Sequence, residues 1–298
     1  MPNNPQLRHK IIVLHYIYQL SLNKLSMLFQ ETNELANFET THPEKIARIL
    51  NVSLDRAMQI QLAFSRYLEL PIEQMLSGNE IKVVLYMDVH YPQSLLNLYD
   101  PPTALYIKGN PSLINRRNVA IIGSRRATEY SKRALRFIVP PLVENKITVI
   151  SGMAKGADTM AHFETIALGG KTAAVIGSGF DNIYPRENKR LFEELSATQC
   201  VLSEFPPYVE PRKWHFPMRN RIISALSDAL VVTQASDKSG TLITTDYALD
   251  LGKTIFAVPG PIDQQESFGT NKLIKDGAIP VWNGYQIVEE MSLFRSKI

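Results

Sequence analysis

NVAIIGSRRATEYSKRALRF, from Asn118 to Phe137, is the stretch that decides the fold. Val119 to Ile122 is a short apolar run, mostly β-branched, as expected of a strand buried on both faces. Gly123-Ser124-Arg125 follows at once, and Ala134, Leu135 and Ile138 then recur at helical spacing. Strand, tight glycine turn and helix together open a nucleotide-binding α/β sheet. The turn departs from GxGxxG, because its second residue is Ser and its third is Arg. Its chemistry is a backbone cradle for phosphate with a guanidinium beside it.

Downstream, apolar runs at 147–151, 172–177, 200–205, 229–234 and 254–260 alternate with helical segments. Strands spaced by helices predict a parallel sheet with right-handed crossovers. Pro140-Pro141 falls within the first crossover helix, which is expected to stop near Phe137 and restart at the prolines. Upstream, the chain reads as extended from Ile81, with ALYIKG (104–109) a strand leading into the sheet. Ser77-Gly78-Asn79 is a turn cluster and the natural boundary. Residues 5–77 read as short helices without strands. Ser53 caps a longer one, expected to bury Met58, Ile60, Leu62, Ala63, Tyr67 and Leu68. The expected architecture is α/β: a parallel sheet flanked by helices over 78–298, with 78–115 as its extension, and a small all-helical domain over 1–77.

Composition excludes several classes of function. The chain has 298 residues, 45% of them apolar and 20% charged, which describes an ordinary globular protein. Its net charge of +3 matters less than its distribution. Arg116, Arg117, Arg125, Arg126, Lys132, Arg133 and Arg136 surround the opening motif, with Glu129 the only acid among them. That excess points to a phosphate or polyanion, against the plainer reading of a solvated helix face. Cys200 is the only cysteine, which rules out an intramolecular disulfide and a cysteine-based zinc site. The histidines show no metal-ligand spacing, and P-loop and GxSxG patterns are missing, so neither metal nor cofactor is expected. Asp158 and His162 are spaced to touch on one helix face, as a local brace. IIVLHYIY near the N-terminus is too short to span a bilayer and no signal pattern precedes it, so a cytoplasmic protein without membrane contact is expected.

Four loops follow strands and so face the ligand crevice of an open α/β sheet. They are Gly123-Ser124-Arg125; SGMAKGAD, with Lys155; Gly177-Ser178-Gly179, followed by Tyr184-Pro185; and SDKSGTLITT, where Ser239, Gly240 and Thr241 open a helix. One such loop means little, since glycine also serves ordinary turns. Four facing one crevice are hard to explain by structure alone. PRKWHFPMRNRIISALS adds cations (Arg212, Lys213, Arg219, Arg221) interleaved with Trp214, His215 and Phe216. Cations for phosphates and rings for bases are what single-stranded nucleic acid requires. Phe216 is expected to be exposed at the helix entrance, and Trp214 is open between core and surface. Arg219 and Arg221 lie on roughly opposite sides of their helix, so one of them is expected to be structural.

In the order YPQSLLNLYDPPTALYIKGN, AIIGSR, SGMAKGAD, FPMRNRIISALS, SGTLITTDYAL, FAVPG and GTNKLI, these motifs resemble the DNA-processing protein family DprA, or Smf. The resemblance covers about Tyr91 to Ala278. It implies an extended Rossmann domain that binds single-stranded DNA, forms homodimers and delivers RecA recombinase onto incoming DNA during natural transformation, without catalysis. Residue by residue, it implies that Arg125 and Lys213 hold phosphates and Phe216 meets a base. Ser239, Gly240, Thr241 and Asn271 line the same groove, and Gly123, Ser124, Lys155, Arg219, Asn220 and Arg221 complete the expected DNA-binding set. Two rival readings remain. One is a phosphoribohydrolase-like enzyme, although the glutamate that such a group places three residues after its threonine is Thr244 here. The other is a sensor of free nucleotides.

Overall fold

Five helices open the chain: α1 (Pro5–Ile17), α2 (Leu22–Thr32), α3 (Pro43–Leu50), α4 (Leu54–Leu68) and α5 (Ile72–Gly78). This computed structural model describes residues 4–237 and 239–295. Ser53 caps α4 as expected, its Oγ accepting from the Arg56 amide at 3.2 Å. The face that α4 buries is only partly the one expected: Ile60 is buried and Tyr67 and Leu68 pack against the core, but Met58 and Leu62 do not. Ala57, Ile60, Gln61 and Phe64 turn inward, while Met58 and Leu62 are exposed beside Leu54. Apolar residues cover more of this helix than one face, and the core takes the side carrying Gln61. The Gln61 amide can be buried because it donates to the Phe38 and Thr41 carbonyls, each at 2.8 Å.

The rest of the chain builds one sheet. In order come β1 (Lys82–Leu85), β2 (Ala104–Gly109), β3 (Asn118–Ile122), α6 (Glu129–Glu144), β4 (Thr148–Ser151), α7 (Ala157–Ala167), β5 (Thr172–Ile176) and α8 (Lys189–Thr198). Then follow β6 (Cys200–Ser203), α9 (His215–Leu226), β7 (Ala229–Val232), α10 (Thr241–Asp250), β8 (Thr254–Ala257), α11 (Phe268–Lys275), β9 (Ile279–Pro280) and α12 (Gly284–Arg295). Short 3₁₀ turns at Gln93–Asn97 and Pro111–Asn115 interrupt the segment read as extended.

The spatial strand order is β1-β2-β6-β5-β4-β3-β7-β8-β9. β1 and β2 are antiparallel additions to the β6 edge, and every other pairing is parallel. The strands alternate between two cores, as a pleated sheet must. On β3, Val119 and Ile121 meet Leu135, Ile138 and Val139 of α6, while Ala120 and Ile122 meet Ile222 and Ile223 of α9. A third core joins α1–α5 to Ala174, Ile176 and Val201 of the sheet.

Helix α6 runs unbroken through Pro140 and Pro141, contrary to the expected stop near Phe137. The two carbonyls that lose an amide donor belong to Arg136 and Phe137, both exposed, so water can replace it. Below them, Ile138, Val139, Pro141 and Leu142 are buried and hold the turn in place. Among the described residues, no helix is long and apolar enough to cross a membrane.

Candidate nucleic-acid interface

The strand order reverses at β3. From there the chain moves outward through β4, β5 and β6, then returns to place β7 on the other side. Such a switch point leaves a crevice at the carboxyl ends of the two central strands. The loops after β3 and β7 form its floor and are stapled together. The Ser124 amide donates to the Gln234 carbonyl at 2.7 Å, and the Thr128 amide to Gln234 Oε1 at 2.8 Å. The loop after β4 closes one side. Gly156 there has φ +78°, and a Cβ would meet the Ser124 carbonyl oxygen at 2.4 Å, so only glycine serves.

The resulting cleft has a volume of about 600 Å³. It brings together Gly123, Ser124 and Arg125 with Lys213, Phe216, Arg219 and Asn220 of the α9 entrance. Ser239, Gly240 and Thr241 of the β7 loop join them. These last three form the N-terminus of α10, where the Ser239 hydroxyl meets both the amide and the hydroxyl of Thr241, at 3.2 and 2.8 Å. A ten-residue helix aimed into a basic cleft adds the positive end of its dipole.

Other expected residues fall elsewhere. Lys155 lines a smaller recess behind the cleft, with its ammonium 2.6 Å from Glu187. Arg221 is turned away. Its Nη2 forms a buried pair with both carboxylate oxygens of Glu204 at 2.6 Å, and its Nη1 donates to the Asp100 carbonyl. It is a brace, and Arg219 is the arginine of α9 that faces the cleft, as the 200° between them requires for one of the two. Asn271 does not line the cleft either. Its amide clamps the backbone of Gly260, accepting from the amide at 3.1 Å and donating to the carbonyl at 3.0 Å. Of the basic excess around the opening motif, Arg116 and Arg117 precede β3 and so lie at the opposite end of the strand from the cleft.

Of the two rings of KWHF, Phe216 is less exposed than expected, and Trp214, left open by the sequence, is exposed. Phe216 is only half-exposed: the Arg125 guanidinium sits 5.3 Å from its centroid, the Tyr184 ring 5.4 Å away, and its Cδ1 fills the space left by Gly177. Trp214 is 51% exposed and stands edge-on to His215, itself stacked on Phe205 at 4.0 Å. Trp214 is therefore the open ring and Phe216 the anchored one. Tyr184 and Thr244, which belong to the stretches of the third and fourth crevice loops, and Arg126 also line the cleft, though none of the three was in the expected DNA-binding set. Tyr184 follows the Gly177 loop by seven residues, too far for spacing to assign it. Arg126 is tied to Glu266 at 3.0 Å.

Electrostatically the cleft is cationic, and Asp158 is the acid that lines it among the described residues. Burial pushes the Asp158 carboxyl above its ordinary range, opposed by the nearby Arg219 charge and by the Ala154 and Gly152 amides that donate to it. His162 does not touch Asp158. Its Nδ1 meets Thr172 Oγ1 at 2.7 Å, and burial lowers the imidazole to about 3. Arg219, fully enclosed, is pushed down to about 10 by burial and remains charged at neutral pH. No cluster of His, Cys, Asp or Glu able to hold a metal ion occurs among the described residues.

The sequence model of the family described as DNA recombination-mediator protein A matches residues 82–292. The DNA processing protein DprA of Bacillus subtilis is 42% identical over 202 residues, 67% of this chain and 68% of that one. That of Streptococcus pneumoniae is 41% identical over 204 residues, 68% of this chain and 72% of its own. The solved structure of DNA processing protein A from Streptococcus pneumoniae superposes with a TM-score of 0.77 at 31% identity, covering 97% of this chain and 99% of that one. A structure of DNA processing protein A from Helicobacter pylori, described for its single-stranded DNA binding mode, gives a TM-score of 0.65 at 30% identity over 73% of this chain and 97% of that one. The matched region runs from the first strand of the sheet into its last helix, and the chain belongs to the DNA processing protein A family, also named Smf.

Proposed function

We propose that the cleft binds single-stranded DNA, with Arg125, Lys213 and Arg219 toward phosphates and the rings of Trp214, Phe216 and Tyr184 toward bases. The observation that carries this reading is the pairing of cations and rings at the switch point. Arg125, Lys213 and Arg219 face one cleft, and none of them has an ion-pair partner among the described residues. A polyanion supplies the missing counter-charge, and ring–base stacking adds ~1–3 kcal/mol per base whatever the sequence. The Helicobacter pylori relative, described for its single-stranded DNA binding, supports the same reading.

In this proposal residues 78–298 are the DNA-binding unit and the helices of 1–77 a separate module. The protein works in the cytoplasm as a homodimer that hands its strand to RecA, and performs no chemistry itself. The phosphoribohydrolase reading is the weaker one. Thr244 occupies the place of its glutamate, and the one acid lining the cleft, Asp158, is held by two backbone amides.

The test is a complex with a short dT strand. Phosphates at Arg125 and Lys213 and a base beside Trp214 or Phe216 are the expected result, and a strand bound on another face contradicts it. Release of free base from a nucleoside monophosphate would revive the enzyme.

A further inference from the structure

Behind the cleft lies a second, more enclosed recess, bounded by Gly152, Lys155, Gly177 and Pro185. Arg125, Phe216 and Arg219 line both spaces, so the Arg125–Phe216 pair is the partition between them. Arg219 is the deepest charge in the molecule's functional end, only 4% exposed. Its Nη1 is used up in bonds to the Gly152 and Val175 carbonyls, the second at 2.6 Å. Its Nε is buried without a partner, and Nη2 makes no hydrogen bond among the described residues. The Nε–Nη2 edge, the fork with which arginine grips an oxyanion, is unanswered within the described residues, with Nε shielded from solvent. Asp158 does not fill that role. It lies beyond ion-pair distance of Arg219, and its Oδ2 is already engaged by the Gly152 and Ala154 amides.

We infer that this recess is a binding site for a phosphate monoester, which for a DNA strand means its phosphorylated end. The inference rests on the single-strand reading of the cleft and adds to it a place where a strand terminates. Size supports an end over a passing strand. The recess holds about 40 Å³ of water-centre space, room for roughly three or four waters. That matches the terminal oxygens of one phosphoryl group and excludes a base. Gly152, Gly177 and Pro185 line the recess beside its cations, and a space of this size suits a chain end better than a diester with a nucleoside on each side. Charge agrees. A monoester carries about −1.5 to −2 at neutral pH, against −1 for a diester, and Arg125, Lys155 and Arg219 offer three cations against two nearby acids, Glu187 on Lys155 and the buried Asp158 beside Arg219 and Arg125. Gly152 belongs to the design, because a Cβ there would lie 1.8 Å from Arg219 Nη1 and push the fork aside.

The experiment measures binding of one dT oligonucleotide with hydroxyl ends, with a 5′-phosphate and with a 3′-phosphate, by fluorescence anisotropy. One phosphorylated form is expected to bind about tenfold tighter than the hydroxyl form, the scale of one added charge-assisted contact. The ratio of the two affinities is the readout, so each variant is its own control. Arg219→Lys keeps the charge but loses the fork, and is expected to bring the ratio close to one. Since a buried arginine is also a folding risk, Ala154→Leu, which narrows the recess and the adjoining cleft without removing a charge, is expected to do the same. Equal binding of all three strands by the wild-type chain overturns the inference while leaving the single-strand reading intact. A ratio that survives both variants overturns it as well. If no strand binds, calorimetry with thymidine 5′-monophosphate decides: heat lost in both variants supports the recess and sinks the DNA reading, and no heat in the wild type overturns the recess too.

Discussion

The cleft and the seam of ion pairs that braces the scaffold use the same residue types to opposite ends. In the seam these charges are answered from within the chain. Arg221 is paired with Glu204, and Arg8 of α1 reaches Glu73 of α5 at 2.7 Å and Asp88 at 2.5 Å, fastening the first helices to the sheet. In the cleft, Arg125, Lys213 and Arg219 have no ion-pair partner among the described residues, and the Asp158 carboxyl that lines the cleft stands beyond ion-pair distance. Arg219 and Arg221 make the contrast sharpest, since both are enclosed and two residues apart on one helix. What separates a brace from a ligand-binding group here is the counter-charge, and burial does not distinguish them.

That contrast breaks most visibly at Glu204. Glu204→Ala strands the Arg221 charge in the interior, with an expected loss of about 3–5 kcal/mol in urea unfolding. Oligo-dT affinity of the folded fraction should stay as it was; a stable variant would mean that the seam does not depend on its pairing. Next in size is pH. Burial lowers His15 and His162 to about 3, so the native state keeps them neutral while the unfolded chain protonates them near 6.5. Unfolding therefore becomes easier as pH falls below 6.5, by about 2 kcal/mol for each histidine at pH 5. His162→Gln should flatten half of that slope, with titration of the urea midpoint as the check. Smaller, and opposite in kind, is Arg125→Ala. It is expected to cost about 1.5–2 kcal/mol of oligo-dT affinity, the worth of one charged hydrogen bond, with the urea midpoint unmoved. A shifted midpoint with unchanged affinity would move Arg125 from the cleft to the seam in character. Lys155→Ala comes last. Its pair with Glu187 is more than half exposed, so a weaker affinity loss than that of Arg125→Ala and no change in stability are expected in the same two assays.

Much of this arrangement was legible in the chain. Apolar runs of four to six residues separated by helical spacing located the parallel strands, because a buried strand must be apolar on both faces. The glycine loops located the cleft, since phosphate-sized space at a strand end needs backbones without side chains. What could not be read depended on partners distant in sequence. Spacing alone put Arg219 and Arg221 on different sides of α9, but Glu204, which captures Arg221, belongs to the segment after β6. Asn271 sits in a loop-to-helix motif that looks like groove lining, yet its amide is consumed by Gly260 eleven residues away. Met58 and Leu62 are apolar at helical spacing and face outward because α4 had a second apolar side to bury. Tyr184 reaches Phe216 only because the β5 loop folds back over the α9 entrance.

The central claim is that unpaired cations at the switch point hold the phosphates of a single strand. Its most direct test is the logarithm of oligo-dT affinity against the logarithm of salt concentration, for the wild-type chain and for Arg125→Ala/Lys213→Ala. Each phosphate contact contributes about 0.7 to the slope, so the double variant is expected to be shallower by about 1.4, with an unchanged urea midpoint. Parallel lines for the two proteins, or a wild-type affinity indifferent to salt, would contradict the claim.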